Sequence, residues 1–276
     1  MFRKRRRKET HLQDLSQHLV PIYARAPCAF LIHNLFTSDE CAHLIQRAKQ
    51  IGFEQATVEG PGGDQITRSD IRSCGRCIID DGVLADEIFE KVRGAIRGVE
   101  RFEEKVMHAP WVFSLNCNTS AHHNNNNIEE EGSDRITAVG LNERLRFMKY
   151  TKGHFFAPHQ DIQYTRGSEF GAKAGETSHI TVQIYLNDKF KGGTTRFVCE
   201  GRYYDVQPRK GSALIFDHNL VHEATLVTRG QKYSVRTDIM FKRDCNEVEP
   251  SQQQEMPEIT EDIPGEATEN DNTEDR

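Results

Sequence analysis

The apolar positions of this chain change their period part-way along it. Ala29-Phe30-Leu31-Ile32 is an unbroken apolar run of strand length. Thr37-Ser38-Asp39-Glu40 follows with the form of a helix capping box, Thr37 as the cap and Glu40 reaching back to it. Ala42, Leu44, Ile45 and Ala48 then recur at helical spacing, and Gly52 ends the element. A second helix is predicted from near Asp81, with Leu84, Ile88, Val92 and Ile96 on one face. Beyond Leu145 the period shortens. β-rich runs stand at 146–150, 179–186, 195–199, 212–216 and 232–241, with turn signals at Gly153, Gly192-Gly193, Gly211 and Gly230. Short strands punctuated in this way predict a sandwich, jelly roll or barrel, with the helices packed on it.

Both ends of the chain lack this pattern. Residues 1–24 are polar and open on a basic run at 3–8, which predicts a flexible arm. Such a run is a solvated arm, a nuclear address or a weak nucleic-acid contact. Residues 245–276 form an acidic, Pro-containing tail whose composition predicts disorder. The formal charge of −6 therefore sums opposed regions and says little about partners. Residues 118–134 are a low-complexity stretch containing His122 and His123, read as an insertion in a surface loop. That leaves 25–244 as one folded domain.

No apolar run reaches about 18 residues, so no membrane span is expected. The basic start has no apolar segment after it, which argues against a secretory signal. Seven cysteines without scaffold spacing fit a reduced, cytoplasmic or nuclear protein.

Three signals carry chemistry. His159-Gln160-Asp161 places imidazole and carboxylate two residues apart, which in a strand puts both on one side. Alone the pattern is weak, since surface His-x-Asp pairs are common. His222 follows an apolar strand and a short turn some sixty residues later, and two histidines with one carboxylate make a facial triad that leaves open positions on iron. His218 is the rival third ligand. The third signal is Lys232-Tyr233-Ser234-Val235-Arg236-Thr237, in which Lys232, Ser234 and Arg236 face one way. An inward cation expects an anionic partner. For Arg236 an internal ion pair with Asp238 is the competing reading.

In this order the signals resemble the prolyl 4-hydroxylase-like branch of the Fe(II)- and 2-oxoglutarate-dependent dioxygenases, over roughly residues 27–243. Several strings carry the resemblance. The segment from Leu145 through Tyr150 and Gly153 to His159-Gln160-Asp161 looks like the strand-turn-strand that leads into the family's metal motif. Tyr185-Leu186-Asn187, Gly192-Gly193-Thr194-Thr195-Arg196-Phe197, and the Pro-x-x-Gly-x-x-Leu-x-Phe run from Pro208 to Phe216 match further family strings.

The resemblance implies a mostly β fold with flanking helices: a double-stranded β-helix (jelly-roll) core with N-terminal helices packed on it. It implies Fe(II), 2-oxoglutarate and dioxygen, with ascorbate restoring oxidised iron. His159, Asp161 and His222 match the iron ligands. Lys232 matches the anchor of the distal 2-oxoglutarate carboxylate, Tyr185 a tyrosine that bonds the same group, and Tyr150, more loosely, a further contact. Arg236 shares that role as an alternative, and arginine suits a bidentate carboxylate better, so the preference for Lys232 rests on spacing. A protein or peptide side chain, with proline first, is the substrate that the family suggests, although a family does not fix a substrate. Oxidation of a small molecule or nucleic-acid base is one alternative. A non-catalytic scaffold is the other.

Three further features tempt. Cys74-Gly75-Arg76-Cys77 is a Cys-x-x-Cys without a second pair at zinc spacing. Phe156 and Val182 read as core residues or as linings of a site. The charge-dense run from Asn142 to Arg146 reads as a solvated edge or as part of a substrate cleft.

Overall fold

The computed structural model describes residues 9–19, 27–107, 136–199 and 201–243. The basic run at 3–8, Trp111, the insertion at 118–134 with His122 and His123, and the tail at 245–276 lie outside the described residues. Among the described residues no helix is long and apolar enough to cross a membrane.

Two antiparallel sheets form the jelly roll. The larger runs in the order His11–Asp14, Ala29–His33, Ala213–Asp217, Thr177–Tyr185, Lys232–Arg243, Arg144–Tyr150, Gly75–Asp80 and Glu54–Gln55. Ile136–Leu141 pairs with the far end of Lys232–Arg243. The smaller runs Arg202–Val206, Thr195–Cys199, His222–Ala224, Phe155–His159 and Arg72–Ser73.

Side-chain alternation gives the larger sheet two different faces. Ile180, Val182 and Ile184, Ala213 and Ile215, Tyr233 and Val235, and Leu145 and Phe147 join one apolar core with the helices. The intervening positions face the smaller sheet. There Tyr185, Leu214 and Phe216 pack with Phe197 and Val206, while Met148 and Tyr150 pack with Cys74 and Val227. Register sets a polar ladder on the same inner face: Tyr150 beside Lys232, Met148 beside Ser234 and Tyr185, Arg146 beside Arg236 and Gln183, and Asp238 beside Thr181. This ladder is the floor of the site described below.

The two helices form where the periodicity places them. Thr37 caps Ser38–Ile51 with both hydrogen bonds of the capping box made, and Gly52 follows at φ 107°. Within that helix Cys41, Leu44 and Ala48 are buried while Ala42 faces outward, so the apolar face is turned one position from the predicted one. Asp81 caps Gly82–Ile96, which buries Ile88, Val92 and Ile96. A third helix, Glu100–Met107, has too few apolar residues to stand out in the sequence.

Residues expected in the flexible arm are ordered in part. His11–Asp14 adds an edge strand to Ala29–His33, and Leu15 and Leu19 are fully buried against the inner core. Leu12, Leu15 and Leu19, scattered among polar residues, are too sparse a pattern to predict that docking.

Candidate active site

The small sheet brings the two histidines together. Phe155–His159 pairs antiparallel with His222–Ala224, and His159 stands directly opposite His222. The predicted strand placement of Asp161 is corrected: the strand ends at His159, and Asp161 lies in the loop just beyond. A register shift between Phe156 and His159 and a bond from the Asp161 N–H to the His218 carbonyl turn the carboxylate inward. The convergence survives by that other route. His159 Nε2 is 3.9 Å from Asp161 Oδ1, and His222 Nε2 is 3.8 Å from Asp161 Oδ2. The ligand atoms of all three lie within 4.8 Å of one another, and among the described residues they are the one His/Cys/Asp/Glu group that close.

Both rings are held in the tautomer a metal needs. His159 Nδ1 lies 2.8 Å from the Ala157 carbonyl, and His222 Nδ1 lies 2.9 Å from the Leu220 carbonyl. A carbonyl only accepts, so each Nδ1 carries the proton and each Nε2 turns a lone pair to the centre. Burial and the neighbouring His222 lower His159 to about 3, and burial lowers His222 as well. Both rings are therefore neutral at pH 7. Burial disfavours the Asp161 carboxylate, but Arg236 and then the histidines outweigh it and hold the group at about 2. Thr181 donates to Asp161 Oδ2 at 2.5 Å, and Arg236 Nη2 lies 3.1 Å from Oδ1. Two neutral imidazoles and one ionised carboxylate on one side of a cleft are a donor set suited to Fe(II), with positions left over for other ligands. His218 is not in this group; its Nε2 lies 3.4 Å from Asp238.

The two cations of the long strand differ in their surroundings. Arg236 bridges Asp161 and Asp238, the latter at 2.9 Å, and Arg146 reaches the same Asp238 at 3.0 Å. The expected pairing of Arg236 with Asp238 is thus present. Lys232 is fully buried and donates to the Gly193 carbonyl at 2.8 Å. No carboxylate of the described residues lies within ion-pair reach of it. Burial pushes its ammonium down to about 7.

Around Lys232 stand Tyr150 and Tyr185, whose ring centroids are 5.2 and 5.6 Å from Nζ. The Tyr185 hydroxyl donates to Thr195 Oγ1 at 2.8 Å, and that of Tyr150 meets sulfur, the Met148 Sδ at 3.6 Å and the Cys74 thiol. The Ser234 hydroxyl is buried without a partner among the described residues. Gly193 allows this packing: at φ +64°, an added Cβ would meet Val227 at 2.9 Å and the Lys232 side chain at 3.3 Å.

Other sequence expectations divide. Phe156 lines the cleft and stacks on His159 with ring centroids 3.6 Å apart, whereas Val182 lies in the helix-side core. From the charge-dense run, Arg146 reaches the cleft, and Glu143 turns away to Arg166. Cys74 and Cys77 are three positions apart and enter different apolar clusters, so they offer no shared redox or zinc site. Sequence reasoning named Asp238 as a partner of Arg236 but missed Thr181 as a support of Asp161. Alternation along 177–185 puts Thr181 on the inner face and was the available signal.

Residues 145–237 match the 2OG-Fe(II) oxygenase superfamily model. Curated relatives in Arabidopsis thaliana include probable prolyl 4-hydroxylase 8, 26% identical over 75% of this chain and 67% of its own length, and probable prolyl 4-hydroxylase 6, 24% identical with the same coverages. The chain thus spans about two thirds of their length. Among solved structures, a Pseudomonas putida prolyl-4-hydroxylase aligns with TM-score 0.47 and 15% identity, over 82% of this chain and 97% of that one. The matched segment runs from the strand before the metal motif through the triad to Arg236, and over that segment the chain resembles the prolyl 4-hydroxylase-like 2OG-Fe(II) oxygenases.

Proposed function

We propose that the enzyme hydroxylates a side chain of a protein or peptide, proline first, with His159, Asp161 and His222 holding Fe(II) and Lys232 anchoring 2-oxoglutarate. The carrying observation is the buried Lys232, whose charge meets no carboxylate among the described residues. A buried cation without an anion is costly, and a dicarboxylate co-substrate supplies the missing partner. Arg236 already meets two carboxylates, so the structural support favours Lys232 for this role.

Ser234 and Tyr150 add poorly used hydroxyls on the same face. Both suit a carboxylate oxygen. Tyr185 and Thr195 complete the wall with a hydroxyl pair that can turn toward it. In the bound state Lys232 holds a proton at Nζ, and its neighbours exclude water. Thr181 and Arg236 fix the Asp161 carboxylate, and the Ala157 and Leu220 carbonyls fix the two rings. Bound Fe(II) with 2-oxoglutarate and dioxygen supplies the oxidative decarboxylation to succinate and the C–H oxidation coupled to it, and ascorbate keeps the iron reduced. Phe156 shields the ligand sphere on the cleft side.

The protein-substrate part of this reading draws on the prolyl 4-hydroxylases it resembles. Its test is succinate formation from 2-oxoglutarate with Fe(II) and ascorbate, with and without proline peptides, followed by mass analysis for one added oxygen. Succinate that rises with peptide, together with hydroxyproline, meets the expectation. Succinate that never responds to peptide, but does respond to small molecules or nucleic acid, contradicts it.

A further inference from the structure

Three arginines line the cleft beside the triad: Arg72, Arg146 and Arg236. Two are neutralised, since Arg146 and Arg236 share Asp238 and Arg236 also meets Asp161. Arg72 differs. It sits in the edge strand Arg72–Ser73, opposite Phe156 of the iron-bearing strand. Its guanidinium lies 4.5 Å over the Phe156 ring, the ring that stacks on His159. Its donors reach Cys74 Sγ at 3.4 Å, Met148 Sδ at 3.4 Å and the Thr57 carbonyl at 3.3 Å. Sulfur is a weak acceptor and the remaining contact is long, so the five-donor fork is poorly satisfied. No carboxylate of the described residues lies within ion-pair reach of Arg72.

The surroundings add positive field rather than relieve it. Burial lowers Arg76, and the nearby charges of Arg72, Arg146 and Arg144 lower it further. The remaining carboxylate of the cleft, Glu223, faces Arg196 at 3.5 Å. Loading the site does not cancel the excess, because the two positive charges of Fe(II) offset the two negative charges of 2-oxoglutarate.

We infer that Arg72 is a specificity-determining residue that binds a substrate carboxylate, so the preferred peptide carries Asp or Glu close to the oxidised residue. This rests on the peptide-hydroxylase reading above. An extended peptide advances about 3.3 Å per residue, so a carboxylate on Arg72 belongs to a residue one to three positions from the one facing the iron. The planar fork on an aromatic face suits bidentate carboxylate binding.

A carboxylate on Arg72 has two sources, substrate or co-substrate, and the experiment separates them. Full-length enzyme loaded with Fe(II) and 2-oxoglutarate, without dioxygen, is titrated calorimetrically with two synthetic peptides. Each has a central proline flanked on both sides by three glutamates or by three glutamines. The glutamate peptide is expected to bind about tenfold tighter or more, as a charge-assisted pair would give. Arg72→Gln removes that preference, Arg72→Lys restores part of it, and 2-oxoglutarate affinity is retained in both.

Equal binding of the two peptides, or a preference that survives Arg72→Gln, overturns the inference. So does a matching fall in 2-oxoglutarate affinity, which would make Arg72 a co-substrate anchor. Dioxygen is then admitted. A glutamate peptide held through Arg72 but not oxidised at proline defeats the prolyl reading and leaves the acidic recognition standing. Binding of neither peptide defeats both.

Discussion

The inner face of the larger sheet has two ends built from similar residues and satisfied in opposite ways. At one end Arg146, Arg236, Asp238 and Asp161 form a closed set in which each charge meets another. At the other, Lys232, Ser234 and Tyr150 hold, among the described residues, an ammonium without a carboxylate, a hydroxyl without a partner and a hydroxyl spent on sulfur. The two ends lie four residues apart on one strand. A closed set of charges fixes geometry, here that of the iron ligand Asp161. An open set of donors waits for a ligand.

Substitutions break the comparison in order of size. Asp161→Ala removes the only ionised member of the triad, and succinate formation falls to background while iron binding by titration is lost. Arg236→Met leaves Asp161 and Asp238 without their shared cation. The side chain is 19% exposed, and breaking such a pair costs about 3–5 kcal/mol, read as a lower midpoint in denaturant. Lys232→Met acts at the open end and carries the opposite sign for stability. The ligand-free protein holds or gains stability, whereas 2-oxoglutarate affinity falls about 100-fold, the cost of leaving a carboxylate unpaired in a buried site.

A smaller effect follows from pH. With the Lys232 ammonium held down to about 7 from 10.5, the unfolded chain binds more protons between those values. Its contribution to ligand-free stability therefore rises with pH across that window. An anionic ligand favours the charged form, so binding takes up a proton above pH 7. Affinity for 2-oxoglutarate weakens as pH rises past 7, by at most about tenfold per unit, and Lys232→Met flattens the profile. The smallest effect is at the helix start: Thr37→Ala costs about 1 kcal/mol of stability and leaves the 2-oxoglutarate affinity alone.

Much of the architecture was legible because it rests on local pattern. Alternation along 177–185 and 232–243 fixes two faces, and the Thr37 and Asp81 caps mark the helix starts. The triad was legible as a set, but its route was not. Asp161 is placed by a register shift and a bond to the His218 carbonyl, and neither leaves a trace in His-x-Asp spacing. The satisfaction of charges was also hidden. Lys232 and Arg236 look alike as inward cations, and whether Asp161 or, among the described residues, no carboxylate stands beside them is set by segments distant in sequence. Arg72 enters the cleft only because its strand pairs with one some eighty residues later. Cys74 and Cys77 show the converse: a motif compact in sequence is split between two cores.

The most direct test of the two-ended face is the KM for 2-oxoglutarate in succinate formation without added substrate, compared for Lys232→Met and Arg236→Lys. The account predicts a KM raised about 100-fold by the first and changed only a few-fold by the second, which keeps the charge between Asp161 and Asp238. A KM untouched by Lys232→Met and raised strongly by Arg236→Lys would contradict it and move the co-substrate anchor to Arg236.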